Sequence, residues 1–429
     1  MTTRELKRSL TLFDVTCLGV NATIGSGIFA LPDDLYRGMG GLSPLAFVLC
    51  AVGLVPVALC FAEAASRTER TGGAYVYAAE AFGPVAGFGV GWMCFANSIF
   101  SFAAVSAVAS AYVCRLAGVD AGTLGLRLFA VVILVAFTAL NYTGVKQGAR
   151  AANAFTIAKI AALLVLVAGA VPAMEPARLA APMTQGFDGV EAAVFAALFA
   201  LQGFEVAPIP AGETHFAKRA VPIAVLTALS LSAVVYVLVQ VVVVGAHAGL
   251  GTPTDTPLAD AALAVAPALG IVVLAGGAIS TMGFVSGSAL GTPRYLYAFA
   301  SDAWLPRALA AVHPRFGTPH LAIAVTSVLV VAFVLAFDYR TLIGMSNVTV
   351  AVQYLATCLA VLVFRRRGLP AGGFRAPLGL LTPLAGAAVA MWVFTAGSQQ
   401  ELAWAAGSLA VGGVLAALSR IMGPQRPPV

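Results

Sequence analysis

Long apolar runs alternate along this chain with short polar or Gly/Pro-rich breaks. Twelve runs stand out: 12–31, 42–65, 85–114, 126–144, 153–173, 190–210, 221–246, 267–298, 319–337, 342–364, 379–397 and 401–420. A bilayer crossing takes about 20 residues as a helix. Inside a bilayer the backbone finds no water, so its polar groups must be satisfied within the segment, and runs of this length are predicted to be helices. The pattern predicts an all-α polytopic membrane protein with about 12 transmembrane helices. The first run is long, is broken by a Gly-rich patch and lacks a small-residue cleavage site, so it reads as a retained span and not as a cleaved signal.

Composition agrees with the pattern. Of 429 residues, 60% are hydrophobic and 10% charged, too little polar surface to cover a water-soluble body of this size. Soluble enzymes, nucleic-acid binders and disordered scaffolds are thereby excluded. Charge adds the orientation. With the N-terminus in the cytoplasm, the cytoplasmic segments carry eighteen Lys and Arg, among them Arg4, Lys7, Lys146, Arg150, Arg294, Arg365, Arg420 and Arg426. The outer side carries five: Arg37, Arg115, Arg127, Arg178 and Arg340. This asymmetry predicts a multi-pass protein of the cell (inner) membrane with both termini cytoplasmic. The net charge of +6 is then a topology signal, and no nucleic-acid partner is needed to explain it. The six Cys (Cys17, Cys50, Cys60, Cys94, Cys114, Cys358) form no C-x-x-C pair, and nearly all fall in apolar runs as small core residues. Neither a metal nor a cofactor is expected, and oligomeric state leaves no mark on the sequence.

Two runs are interrupted. Gly25-Ser26-Gly27 breaks the first and Gln202-Gly203-Phe204-Glu205 the sixth. Each patch alone also fits close helix packing through small residues. Together they lie five spans apart, so two five-helix halves would enter the membrane in opposite senses. Matched interruptions in inverted halves point to a transporter's binding site. The organisation expected is a cytoplasmic segment 1–11, halves 12–173 and 190–364, two further helices over 379–420, and a cytoplasmic tail 421–429.

Four stretches are more specific: N-A-T-I-G-S-G-I-F-A-L-P from Asn21 to Pro32; F-A-E-A-A-S-R-T-E-R-T-G-G-A-Y-V-Y-A-A-E-A-F-G-P from Phe61 to Pro84, continuing to Gly91-Trp92; A-L-Q-G-F-E from Ala200 to Glu205; and G-T-P-R-Y-L-Y-A-F-A-S-D-A-W-L-P from Gly291 to Pro306, followed by H-P-R-F-G-T-P from His313 to Pro319. In order and span number they resemble the amino acid–polyamine–organocation (APC) permease family, over residues 12 to about 320. The resemblance implies the leucine-transporter-type 5+5 inverted repeat with two peripheral C-terminal helices. It also implies a substrate of the amino-acid or amine class, carried by alternating access.

The chemistry of the breaks suits a zwitterion. Interrupting the first helix leaves N–H donors of its outer half unpaired, and with the half-helix dipole these suit a carboxylate. Gly25, Ser26 and Gly27 are the candidates. Carbonyls at the breaks suit an ammonium, with Ala200, Gln202 and Gly203 beside it. The resemblance makes Phe199 a candidate aromatic gate, and packing explains it equally well. Asn97, Ser346 and Asn347 are polar residues in apolar spans, open to substrate contact but more often interhelical hydrogen bonds. Glu205 is an intramembrane acid, either a proton carrier or an anchor for the unwound segment. The anchor is favoured because the break leaves backbone donors to satisfy. Glu63 reads as a gate-region partner for a loop arginine. Asp33 and Asp34 are expected to face outside.

Lys159 is the basic residue well inside a span, about 10 Å deep at 1.5 Å per residue. Its ammonium could snorkel back to the interface. Alternatively it is a working amine, since a desolvated lysine can shed its proton while arginine stays charged. The resemblance implies the second reading, because proton-coupled members place a lysine amine where sodium-coupled relatives bind a cation. Ser280, Thr281 and Ser286 are candidate partners on the eighth span, and Lys159, Ser286 and Glu205 form the expected proton-coupling set. The proton gradient would be the driving force. Without an acidic side-chain subsite, small or medium neutral amino acids are the expected cargo, with exchange or export as alternatives. An intramembrane hydrolase is disfavoured, because Phe284-Val285-Ser286-Gly287 lacks a leading Gly, His247 lies near a helix end and no H-E-x-x-H occurs. A channel is disfavoured because no charged ring or repeated filter loop is visible.

Overall fold

The apolar runs fold as helices, and polar or Gly/Pro positions end them. The computed structural model describes residues 8–142, 148–183, 185–368 and 373–422. The first run is split into α1 (Leu12–Thr23) and α2 (Gly27–Ala30), followed by α3 (Pro32–Met39). Then come α4 (Pro44–Arg67), α5 (Ala74–Phe82), α6 (Pro84–Leu116), α7 (Gly122–Tyr142) and α8 (Gly148–Ala170). The second part holds α9 (Gly186–Leu201), α10 (Ala217–Ala246), α11 (Pro257–Val265), α12 (Pro267–Gly291) and α13 (Pro293–Ser301). The last four are α14 (His320–Ala336), α15 (Tyr339–Arg366), α16 (Leu381–Ala396) and α17 (Gln399–Met422). No strand is present among the described residues, only an isolated bridge between Leu10 and Thr214.

Ten helical segments among the described residues are long and apolar enough to cross a membrane. The ninth and eleventh predicted runs are the shorter apolar helices α14 and α16, of 17 and 16 residues. The sixth run differs most from expectation. Its α-helix stops at Leu201, and the chain continues through an extended Gln202 into a 3-10 turn at Phe204–Val206. The eighth run is divided at Thr292, where Pro293 lacks the N–H that would continue α12. α3, α5, α11 and α13 are short helices whose 8 or 9 residues are too few to stand out as apolar runs.

α1 is enclosed by α8, α10 and α12; α6 packs between α12 and α15; and α4 lies against α9, α10, α15 and α16. α7 and α17 are at the periphery. Lipid tails are as apolar as leucine, so close packing and buried polar contacts hold such helices together. All six cysteines are buried and free, as expected of core residues.

Basic side chains sort to two ends of the bundle. At one end Arg8 pairs with Glu69 and Arg70 with Glu80, while Arg367 donates to the carbonyls of Glu80 and Ala81. At the other, Arg37 and Arg340 meet Asp34, and Arg115 meets Asp260. We call these the arginine-rich and arginine-poor faces. Arg4, Lys7, Lys146 and Arg426 lie outside the described residues, as do the side chains of Arg150 and Arg420 and most of the expected terminal segments 1–11 and 421–429.

Glu63 is fully buried near the arginine-rich face. Its carboxylate accepts from Arg67 Nη2 (2.7 Å), Arg365 Nε (2.9 Å) and the Ala376 N–H (2.9 Å). Its arginine partners lie in the last turns of α4 and α15, which corrects the expectation of a loop arginine. Removing one partner of a buried ion pair strands the other charges and costs about 3–5 kcal/mol. Glu63→Gln is therefore expected to lower the melting temperature of the detergent-solubilised protein by several degrees. An unchanged melting curve would show that this cluster does not hold α4 to α15.

Candidate substrate site

The two interruptions meet at the centre of the bundle. After Ile24, whose N–H still reaches the Val20 carbonyl (2.8 Å), the Gly25 N–H turns back to Thr23 O (2.9 Å) and the helix is lost. It resumes at Gly27, leaving the amides of Ser26, Gly27 and Ile28 without a backbone acceptor among the described residues. On the facing chain Gly203 adopts φ +124, a region that essentially only glycine occupies. A Cβ on Gly203 would lie 2.5 Å from Ala22 C and Thr23 N, and one on Gly27 would lie 2.5 Å from Ala200 Cα. Each break is thus packed backbone-to-backbone against the other.

Side chains from three helices finish the interrupted end of α1. Lys159 of α8 is fully buried, and its Nζ donates to Ile24 O (2.6 Å) and Asn21 O (3.2 Å). Its amine is at the break and not at the interface, so it does not snorkel. Ser280 of α12 shares its single proton between Ile24 O (3.0 Å) and Gly25 O (2.9 Å). Tyr236 of α10 donates to Thr23 O (2.9 Å). The carbonyls of Asn21, Thr23, Ile24 and Gly25, which no helical N–H could reach, are occupied by side-chain donors, and a cationic donor sits at the negative end of the helix. Ser280, and not Ser286, is the α12 hydroxyl beside Lys159. Ser286 lies six residues on, about 240° round the helix at 100° per residue, and makes no hydrogen bond to the break among the described residues. Thr281 turns back to Gly277 O (2.7 Å) on its own helix.

The sixth-run break is held by its acid. Glu205 Oε2 accepts from the Gly203 N–H (2.8 Å) and from Tyr354 OH (3.1 Å). This is the geometry of an anchor. Phe204 stacks on the Tyr354 ring, with centroids 5.6 Å apart, and Phe61 abuts both edge-on. Beside it, Ser346 Oγ donates to Asn97 Oδ1 (2.7 Å) and accepts from Gln202 Nε2 (2.8 Å). The Ser101 hydroxyl, 2.8 Å from Ser346, must then be the donor of that pair. Asn97 and Ser346 thus bridge α6 to α15, and Asn347 bonds Phe195 O (2.6 Å). These are the interhelical hydrogen bonds expected of such residues.

A cavity of about 590 Å³ opens against these groups. Gly25, Ser26, Gly27, Asn97, Phe199, Gln202, Gly203 and Glu205 line it. Ala200 does not; it is the surface on which Gly27 packs. Three buried atoms on its wall have no hydrogen-bond partner among the described residues: Asn21 Oδ1, Ser26 Oγ and Gln202 Oε1. The cavity reaches Arg70, Thr71, Gly72, Arg294 and Asp302, so it opens to the arginine-rich face. Toward the arginine-poor face the way is filled. Tyr112 OH donates to Phe29 O (2.7 Å), and Arg340 makes two bonds to Asp34, at 3.1 and 2.8 Å. Asp33 and Asp34 both lie at that face, Asp34 half-buried against Arg37 and Arg340. Asp33 is buried and accepts the Gly251 N–H (3.1 Å), and burial pushes its carboxyl above the ordinary value. The sequence reading missed Asn21, Tyr236 and Tyr354. Asn21 opens a motif already singled out, but the two tyrosines sit in unremarkable apolar stretches with no local signal.

A multi-pass helical protein with a central, one-sided cavity between two facing helix breaks has the build of a membrane transporter. The sequence model of the amino acid permease family matches residues 10–413, and the chain belongs to that family. It is 25% identical to a methylthioribose transporter of Bacillus subtilis (strain 168), over 91% of this chain and 88% of that one. It is 30% identical to a branched-chain amino acid permease of the same organism, over 74% and 72%. To cationic amino acid transporter 4 of Mus musculus it is 29% identical, over 85% of this chain and 61% of that protein.

Proposed function

We propose that this permease imports small or medium neutral amino acids, without sodium, in symport with protons, by alternating access between halves 12–173 and 190–364. The observation that carries the reading is the Lys159 ammonium on the Asn21 and Ile24 carbonyls at the α1 break. A protein-borne cation occupies acceptors that would otherwise suit a metal cation. Unlike a guanidinium, an ammonium can be discharged, so loss of its proton would remove one tie between α1 and α8. The substrate carboxylate would take the free amides of Ser26, Gly27 and Ile28 together with Ser26 Oγ. The substrate ammonium would take Asn21 Oδ1 and carbonyls at the two breaks.

The named relatives differ in substrate, so the side-chain reading rests on the cavity itself. Glu205, the acid nearest the breaks, is already held by Gly203 and Tyr354, which disfavours a dibasic or polyamine cargo. The charge asymmetry of the two faces makes the arginine-rich face cytoplasmic, and the cavity then belongs to an inward-facing state. Glu205 serves here as an anchor, Phe199 as a wall of the cavity, and Ser280 takes the place beside Lys159 that Ser286 does not reach.

Counterflow in proteoliposomes with a panel of radiolabelled amino acids tests this. Neutral amino acids are expected to exchange at equal rates with and without sodium, and an imposed inward proton gradient is expected to drive accumulation. A strict sodium requirement would overturn the coupling. Counterflow without gradient-driven accumulation would favour an exchanger of the same fold.

A further inference from the structure

A second cavity, of about 330 Å³, lies on the flank of the bundle, lined by α4, α9 and α16 and away from the transport path. Leu49, Gly53, Leu54, Val194, Leu198 and Trp392 are among its walls. Counting 1.5 Å per residue from the helix ends at the arginine-poor face, Trp392 lies about 6 Å deep, Leu54 about 15 Å and Leu198 about 18 Å. The trough therefore extends from headgroup level toward mid-membrane.

Its shallow end is polar. Trp392 Nε1 donates to Glu191 Oε1 (3.3 Å). Glu191, Val194 and Leu198 follow i, i+3, i+7 spacing, so the carboxylate stands on the same face of α9 that lines the trough. Both Glu191 and Trp392 are half-buried. Glu191 enters no ion pair among the described residues. Of the three helices only α4 carries a basic residue, Arg67, at the opposite face and already on Glu63. Asp188, exposed in the first turn of α9, is a second acid one turn nearer that end of the helix.

A carboxylate beside an indole is the chemistry that takes an alkylammonium, through a charge-assisted hydrogen bond and the ring's negative face. At this depth, with an apolar trough below, we propose that the groove binds a phospholipid whose headgroup ends in a primary ammonium, of the phosphatidylethanolamine class. The ammonium sits on Glu191 and Trp392, and one acyl chain fills the trough. A second copy of the chain fits less well, because a two-fold contact here would remove Glu191 from water without offering it a cation.

The full-length protein is equilibrated with equimolar dioleoyl phosphatidylethanolamine, phosphatidylcholine and phosphatidylglycerol, and the retained lipid is read by native mass spectrometry. The ethanolamine lipid is expected to be retained about fivefold over the other two. Phosphatidylcholine carries the same charges without an N–H donor and so separates hydrogen bonding from charge. Glu191→Gln is expected to abolish the preference. Gly53→Leu is expected to displace the lipid by filling the trough, since a Cβ there meets only Val389 methyls at 4.0 Å. Equal retention of the three lipids by the wild type, an unchanged preference in Glu191→Gln, or a lipid-free dimer that Gly53→Leu dissociates would each overturn the assignment. Should Glu191→Gln fail to fold, the wild-type comparison and Trp392→Phe, expected to weaken the preference, still decide it.

Discussion

Lys159→Met is expected to reduce proton-driven uptake about 100-fold or more while the protein still folds. Methionine keeps most of the buried aliphatic stem and removes the amine, so packing against α1 survives. The loss is two charge-assisted bonds, to Ile24 O and Asn21 O. Such bonds are worth about 1.5–3 kcal/mol each, and each 1.36 kcal/mol is tenfold in rate. Folding should survive because Ser280 still reaches Ile24 O and Gly25 O, and Tyr236 still reaches Thr23 O. Lys159→Arg should fail as well, since a guanidinium stays charged and is too bulky for the fully buried site. Uptake into proteoliposomes under an imposed proton gradient, alongside a melting curve, checks both. Undiminished gradient-driven uptake by Lys159→Met would remove the lysine from coupling.

The second large effect belongs to Gly203→Ala. The substitution forces an L side chain to φ +124 and drives its Cβ to 2.5 Å from the backbone of Ala22 and Thr23. Strain of this kind costs about 1–3 kcal/mol, and overpacking against groups that cannot rotate away adds about 1–3 kcal/mol more. Both costs fall where the two breaks touch. Transport should be abolished and the melting temperature should drop. Gly413→Ala is the control: a Cβ there meets nothing within 4 Å, so stability and uptake should stay as in the wild type. Wild-type melting and uptake in Gly203→Ala would show that the breaks can separate without consequence.

The two residues behind these predictions were legible in the sequence for different reasons. Lys159 stood out because a cation inside an apolar run is costly and therefore rare. Gly203 stood out because glycine beside Gln and Glu interrupts a run that otherwise reads as a continuous helix. The unwinding itself shortened the helix, so the predicted run 190–210 overshot α9 by nine residues. The runs at α14 and α16 fold as apolar helices of 17 and 16 residues, because hydropathy marks apolarity more directly than helix length. Periodicity is local, and it carries no information about how far one helix is rotated against another.

By itself the sequence determined the all-helical membrane class, the sorting of basic residues to one face, the two interruptions and the anomalous lysine. Each follows from a property of a residue and its near neighbours: the cost of charge in lipid, the missing Cβ of glycine, the length of an apolar run. Tertiary structure decided the pairings. Lys159 meets Ile24 across 135 positions, Ser280 meets it across 256, and Tyr354 meets Glu205 across 149. It also decided that Ser280 and not Ser286 faces the break, that Ala200 supports Gly27 instead of lining the cavity, and that the cavity opens to the arginine-rich face. These outcomes depend on the rotation and offset of packed helices, which side-chain interlocking between distant segments sets.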